Sequence, residues 1–114
     1  MSFGSKSLKN PTKAEQRRMS DIAHGVCLPC HLSGIETHYP QVNHLLKSGK
    51  RMGHWATDGE CDWHHNGNFH EGWSRERMTK FYGPSRRHDL REFRRCYGTD
   101  IELIEKQNQL MGVE

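Results

Sequence analysis

Apolar positions in this chain come in short bursts, most of them at helical spacing and each with its own start and stop signals. Thr12 and Glu15 form a Thr-x-x-Glu capping box, in which each side chain can satisfy a free amide of the other's turn. Met19, Ile22, Ala23 and Val26 then predict a helix to about His24, with Gly25 as its stop and the stripe itself as core packing. From Val26 to Glu60 the chain is rich in Gly, Pro and turn residues, which predicts hairpin and irregular loop, and "HYPQVNHLL" is its best strand segment. Ser74 can cap a helix with Met78, Phe81 and Tyr82 on one face, and Gly83-Pro84-Ser85 breaks it. Ser85 can start another, with Leu90, Phe93 and Tyr97 aligned and Gly98 as its stop. Thr99 and Glu102 repeat the capping box for a last helix through Ile101, Ile104, Asn108 and Met111. The first ten residues, "MSFGSKSLKN", have no periodicity and read as a mobile arm.

Composition changes this picture in one respect. With 32% hydrophobic residues among 114, and a mean hydropathy of −0.98, the core must be small and a staple is expected. The four cysteines do not read as a disulfide framework, because no signal peptide is evident and Cys27 and Cys30 are too close to bridge a long loop. Metal is the better staple. No apolar run approaches the ~18–20 residues of a membrane helix, so a soluble, cytoplasmic protein is expected.

The net charge of +3 is unevenly placed. Residues 1–18 hold Lys6, Lys9, Lys13, Arg17 and Arg18 against Glu15, and the block from Arg75 to Arg95 holds eight Lys or Arg against Glu76, Asp89 and Glu92. Two basic patches favour a polyanionic partner, nucleic acid being the commonest, and on charge alone a solvated charged face is an equal alternative.

Cys27-Leu28-Pro29-Cys30 is a knuckle that lets two sulfurs converge on one ion, and zinc wants four such ligands at tetrahedral angles. Cys61-Asp62-Trp63-His64 offers the same gap about thirty residues on. A structural zinc site of Cys27, Cys30, Cys61 and His64 follows; the competing readings are a redox pair, disfavoured by the absence of a thioredoxin-like pattern, and coincidence. Cys96 reads as a buried or free thiol. Consecutive side chains diverge, so His65 cannot easily share an ion with His64, and a second site using His65 and His70 competes with a chance cluster among nine histidines. His44 and His54 support the second site. A general base for phosphodiester hydrolysis is a neutral imidazole held near water and a divalent ion, and His44 with the His65/His70 pair can supply both. His24, His31, His38 and His88 lack such a context.

In order, Cys27-x-x-Cys30, "VNHLL", a turn, and Cys61-x-x-His64 running directly into His65 resemble the HNH, or ββα-metal (His-Me), nucleases. More closely, "CLPCHLSGIE", "QVNHLLKSGKRMGH", "CDWHHNG", "GPS" and "YGTDIEL" look like the Ref family of phage recombination-enhancing nucleases, which act with RecA. The resemblance implies His44 as general base and His65 and His70 as ligands of a catalytic ion. It puts Asn43 where many relatives carry an ion-binding aspartate or histidine, although an amide is a weaker ligand than either. No asparagine occupies the middle position that names the HNH motif. His54 replaces it there, either orienting His44 or contacting metal or phosphate. The family's ion is magnesium or manganese, and histidine-rich versions hold zinc or nickel.

The expectation is therefore a small α+β protein with a zinc-stapled ββα-metal core over about residues 24–73 and flanking helices over about 74–111. These form a single nuclease domain from 12 to 114, behind a flexible basic arm at 1–11. Expected partners are DNA and a RecA filament in a bacterial host cell, with no membrane. Lys47, Lys50, Arg51, Arg86, Arg87, Arg91, Arg94 and Arg95 are the candidate phosphate contacts, which position a duplex without specifying bases. The rival is a non-catalytic zinc-binding module that also binds DNA.

Overall fold

The computed structural model describes residues 9–47 and 49–113. Of the expected arm, residues 1–8 lie outside the described residues, and residues 9–11 have no regular structure. Helix α1 (Lys13–Ala23) starts on the predicted capping box, with Thr12 and Glu15 bonded in both directions. Of its apolar stripe only Ile22 is buried. A five-residue helix, α2 (Leu28–Leu32), follows Cys27, whose sulfur accepts the Cys30 amide as an N-cap.

Strand β1 (Gln41–His44) pairs antiparallel with β4 (Thr57–Glu60), His44 facing Thr57 and Gln41 facing Glu60. Between them a small hairpin, β2 (Leu46–Lys47) and β3 (Lys50–Arg51), forms the tip. Cys61 then caps α3 (Asp62–Asn66) directly, so the β1/β4 pair runs into a helix without a loop. Gly67 ends α3 at φ 76°, and a Cβ there would lie 2.6 Å from His88 Nε2, so both conformation and space demand glycine.

Strand β4 is the element that periodicity misses. All four of its residues, Thr57, Asp58, Gly59 and Glu60, are buried although none is a large apolar residue. Burial of so polar a strand requires a partner for each group. Arg18 of α1 donates to the Thr57 hydroxyl and carbonyl, Gln107 accepts the Gly59 amide, and Asn43 donates to Asp58 and Glu60. Arg86 clamps Glu60 with two N–H···O bonds of 2.9 and 2.6 Å. Among the described residues Asp58 Oδ2 has no partner, and burial beside Glu60 pushes the Asp58 carboxyl well above the usual carboxylate range.

The C-terminal helices are α4 (Arg75–Tyr82), α5 (Leu90–Tyr97) and α6 (Asp100–Met111). Ser74 caps α4 and Thr99 with Glu102 caps α6 as expected. Helix α5 departs from expectation: Asp89 caps it, while residues 86–88 are a turn that delivers Arg86 inward. The apolar core joins Leu28, Leu45, Ala56, Phe93, Tyr97, Leu103 and Ile104. Phe81, Leu90 and Ile101, from the apolar stripes of these helices, are 55%, 39% and 46% exposed. In α6 the reason is specific: the helix turns Asp100 and Gln107 inward to accept the Leu46 and Gly59 amides, which leaves Ile101 outside.

Candidate metal centre and active site

The knuckle and the start of α3 meet as expected. Sγ of Cys27, Cys30 and Cys61 and a ring nitrogen of His64 all lie within 4.8 Å of one another, the one such group among the described residues. Cys30 Sγ is 3.7 Å from Cys61 Sγ, and His64 Nδ1 is 3.6, 3.5 and 3.2 Å from the sulfurs of Cys27, Cys30 and Cys61. Tetrahedral zinc with bonds of about 2.3 Å to sulfur and 2.0–2.1 Å to nitrogen requires edges of about 3.8 and 3.6 Å, so the donors fit zinc with little adjustment. The surroundings suit it too. Amides of Cys30 and Cys61 donate to Cys27 Sγ, and the Thr37 hydroxyl donates to Cys30 Sγ. His64 Nε2 donates to the Tyr82 carbonyl at 2.9 Å, which turns the Nδ1 lone pair toward the sulfurs. Gly83 permits this: at φ 90°, a Cβ there would overlap the Tyr97 hydroxyl, which also donates to Tyr82 O.

Before an ion binds, burial pushes the Cys27 thiol up, while hydrogen bonds from Cys27 and Cys30 push Cys61 down into the thiolate form. Burial also disfavours a charged His64, but bonds to Cys30 and Cys61 outweigh it and hold the imidazole at about 9. Cys96 takes no part; it is exposed on α5.

Adjacent His64 and His65 diverge. His64 is fully buried in the cysteine cluster, whereas His65 Nδ1 reaches 2.7 Å to Gln41 Oε1 on β1. An amide oxygen only accepts, so Nδ1 carries the proton and Nε2 presents its lone pair. Gln41, Asn66 and Asn68 all donate to Asp62, whose carboxyl they hold below its usual range. His70 has a different partner from His65. Its Nε2 lies 2.6 Å from the Tyr82 hydroxyl, and it borders a cleft of about 240 Å³ with Thr37, Asn68, Phe69 and Tyr82.

His44 and His54 meet: Nε2 of His44 is 3.0 Å from Nδ1 of His54, with the rings edge to face. His54 Nε2 in turn lies 2.6 Å from the Lys9 carbonyl oxygen, which can only accept. In neutral rings the chain of donors is then determined: His54 Nε2–H to Lys9, His44 Nε2–H to His54 Nδ1, and a free lone pair on His44 Nδ1. Burial, with lesser contributions from His54 and Arg51, lowers the His44 pKa and keeps the ring neutral at neutral pH.

Two expectations need correction. Arg86 is no surface phosphate contact: only 17% of its side chain is exposed, and it is consumed by Glu60 and Asp100 and by the Phe93 ring. Asn43 spends its amide N–H groups on Asp58 and Glu60 inside the hairpin and is 8% exposed, which makes it a structural tie. Lys47, Lys50, Arg51, Arg87, Arg91, Arg94 and Arg95 are exposed, the last paired with Glu92. The buried acids of β4 were missed in sequence; the polar string "TDGE" between a glycine-rich turn and the Cys61 pair reads as loop.

A family model described as recombination enhancement, RecA-dependent nuclease, matches residues 11–112, nearly the whole chain. No curated protein matches the chain.

Proposed function

The chain belongs to the family of RecA-dependent nucleases of recombination enhancement, and from that premise we propose that it is an HNH-type DNA endonuclease hydrolysing phosphodiester bonds during recombination. The observation that carries the reading is the His44–His54–Lys9 chain, which leaves His44 Nδ1 as an unprotonated acceptor. His44 takes a proton from the attacking water through Nδ1, and His54 holds the ring in that tautomer. The antiparallel pair β1/β4 running straight into α3 supports the ββα reading.

A catalytic ion fits His65, whose Nδ1–H is anchored on Gln41 as a metal-ligating histidine's second nitrogen usually is. His70 is the second ligand in this reading, once its Nε2 leaves Tyr82. Magnesium or manganese held there, or zinc or nickel in a purified sample, would supply charge to polarise the phosphate. Lys47, Lys50 and Arg51 at the hairpin tip and Arg87, Arg91, Arg94 and Arg95 contact DNA phosphates. The partner is a RecA filament presenting the DNA to be cut, and the setting is the cytoplasm of a bacterial host cell.

The test is plasmid nicking with and without RecA filaments, for wild type and His44→Ala. Wild type nicks with magnesium or manganese, and His44→Ala loses nicking but retains zinc, fold and DNA affinity. Nicking that survives in His44→Ala would remove His44 as the base, and nicking absent from wild type even beside filaments would leave the non-catalytic zinc-binding module as the reading.

A further inference from the structure

Helix α4 carries an aromatic ring, Phe81, outward. Phe81 is 55% exposed, and it packs edge to face on Trp73 (5.6 Å) and Tyr82 (4.7 Å). Trp73 is only partly buried, and the Arg77 guanidinium lies 4.0 Å over its ring. Phe69, 45% exposed, lines with Tyr82 the cleft of about 240 Å³. Alongside run Arg75, Arg77 and Lys80, all exposed. Among the described residues none of these three cations pairs with a carboxylate.

Exposed rings interleaved with unpaired cations suit one kind of partner. A solvated charged face has no use for the packed rings of Trp73, Phe81 and Tyr82, and a core satellite would not leave Phe81 more than half exposed. Rings offer stacking surfaces, and the cations offer sites for phosphates spaced along a strand. In a duplex the base faces are already stacked on one another, so only unpaired nucleotides can use the rings. The cleft is smaller than the ~300 Å³ at which drug-sized sites begin, which suits a single planar group. Asn68 and Thr37 on its wall can reach the edge of such a group. The charge excess on α4 favours a polyanion over a protein surface.

We propose that Phe81, Trp73 and Phe69, with Arg75, Arg77 and Lys80, form a stacking platform for an unpaired segment of DNA. It deepens the nuclease reading, resting on it for the identity of the DNA as the molecule cut, but its binding test is independent of cleavage. Fluorescence anisotropy of a labelled oligothymidine and of a duplex of equal length compares wild type, Phe81→Ala and Arg77→Ala. Phe81→Ala changes a mostly exposed side chain and should fold normally, which circular dichroism and zinc content check. It is expected to weaken the single-strand Kd roughly ten-fold, the scale of one lost base–aromatic stack, with duplex affinity changed less than about two-fold. Arg77→Ala should weaken both and reduce the salt dependence. Unchanged single-strand affinity in Phe81→Ala, or an equal loss on duplex, overturns the platform. So does a variant that keeps single-strand affinity but loses filament-stimulated nicking, because the face then docks protein. If wild type never nicks yet Phe81→Ala loses single-strand binding, the nuclease reading falls and the platform stands.

Discussion

Replacing Arg86 by methionine separates two roles that sequence cannot distinguish. A surface arginine that contacts DNA phosphates can be removed at a cost of about 0.5 kcal/mol or less. In the structure Arg86 instead makes two parallel bonds, at 2.9 and 2.6 Å, to Glu60, a carboxylate with no solvent exposure, and a third at 3.3 Å to Asp100. Charge-assisted bonds contribute about 1.5–3 kcal/mol each, and removing one partner of a buried pair costs about 3–5 kcal/mol because the other charge is stranded. The 17% exposure of the Arg86 side chain admits some water and argues for the lower end. Arg86→Met should therefore lose about 3 kcal/mol in urea unfolding of the zinc-saturated protein. Arg86→Met combined with Glu60→Gln should recover part of that loss, since the stranded charge is gone. A loss under about 1 kcal/mol, together with a drop in DNA affinity, would refute the buried-tie account and restore Arg86 to the phosphate-binding surface.

Other outcomes follow from the same geometry. Chelating the metal, or Cys30→Ser, should abolish the cooperative unfolding transition, because the cluster joins α2, β4 and α3; retention of a wild-type melting curve after metal removal would contradict the staple. In the metal-free form His64 is raised from 6.5 to about 9 by its thiol partners despite burial, so its protonation favours that form fully below about pH 6.5 and the contribution is lost as pH rises through about 9. Zinc must displace that proton, so its affinity should fall as pH drops below 9 with measurable proton release, and a pH-independent affinity would sink the assignment. Leu103→Ala, at a position with no exposure in the core, should cost about 2–5 kcal/mol in denaturant unfolding with zinc retained. Arg91→Ala and Arg94→Ala should weaken DNA binding without regard to sequence and each lower the log–log salt slope by about one, as measured by anisotropy titrations.

Sequence by itself determined what depends on local geometry. Capping boxes at Thr12 and Thr99 act within one turn and therefore appear where the residues stand. The two-residue gaps in Cys27-x-x-Cys30 and Cys61-x-x-His64 bring each pair of donors together through a few backbone torsions, and chemistry leaves the pairs little choice but to meet. That His64 and His65 point apart follows from adjacency alone. What only the tertiary structure decided concerns partners distant along the chain. Strand β4 is buried because Arg18, Asn43, Arg86 and Gln107, from four separate segments, bond to all of its side-chain polar groups but Asp58 Oδ2, and no periodicity encodes that. The same reason turns Ile101 outward and moves Arg86 from the surface to the interior. His54 reaches His44 across the tip hairpin and is itself held by the Lys9 carbonyl, 45 residues away. Local signals thus specify elements and ligand pairs. Satisfaction of buried hydrogen-bonding groups, which only the packed chain can accomplish, selects which faces turn inward and which nitrogen of His44 is free to accept a proton.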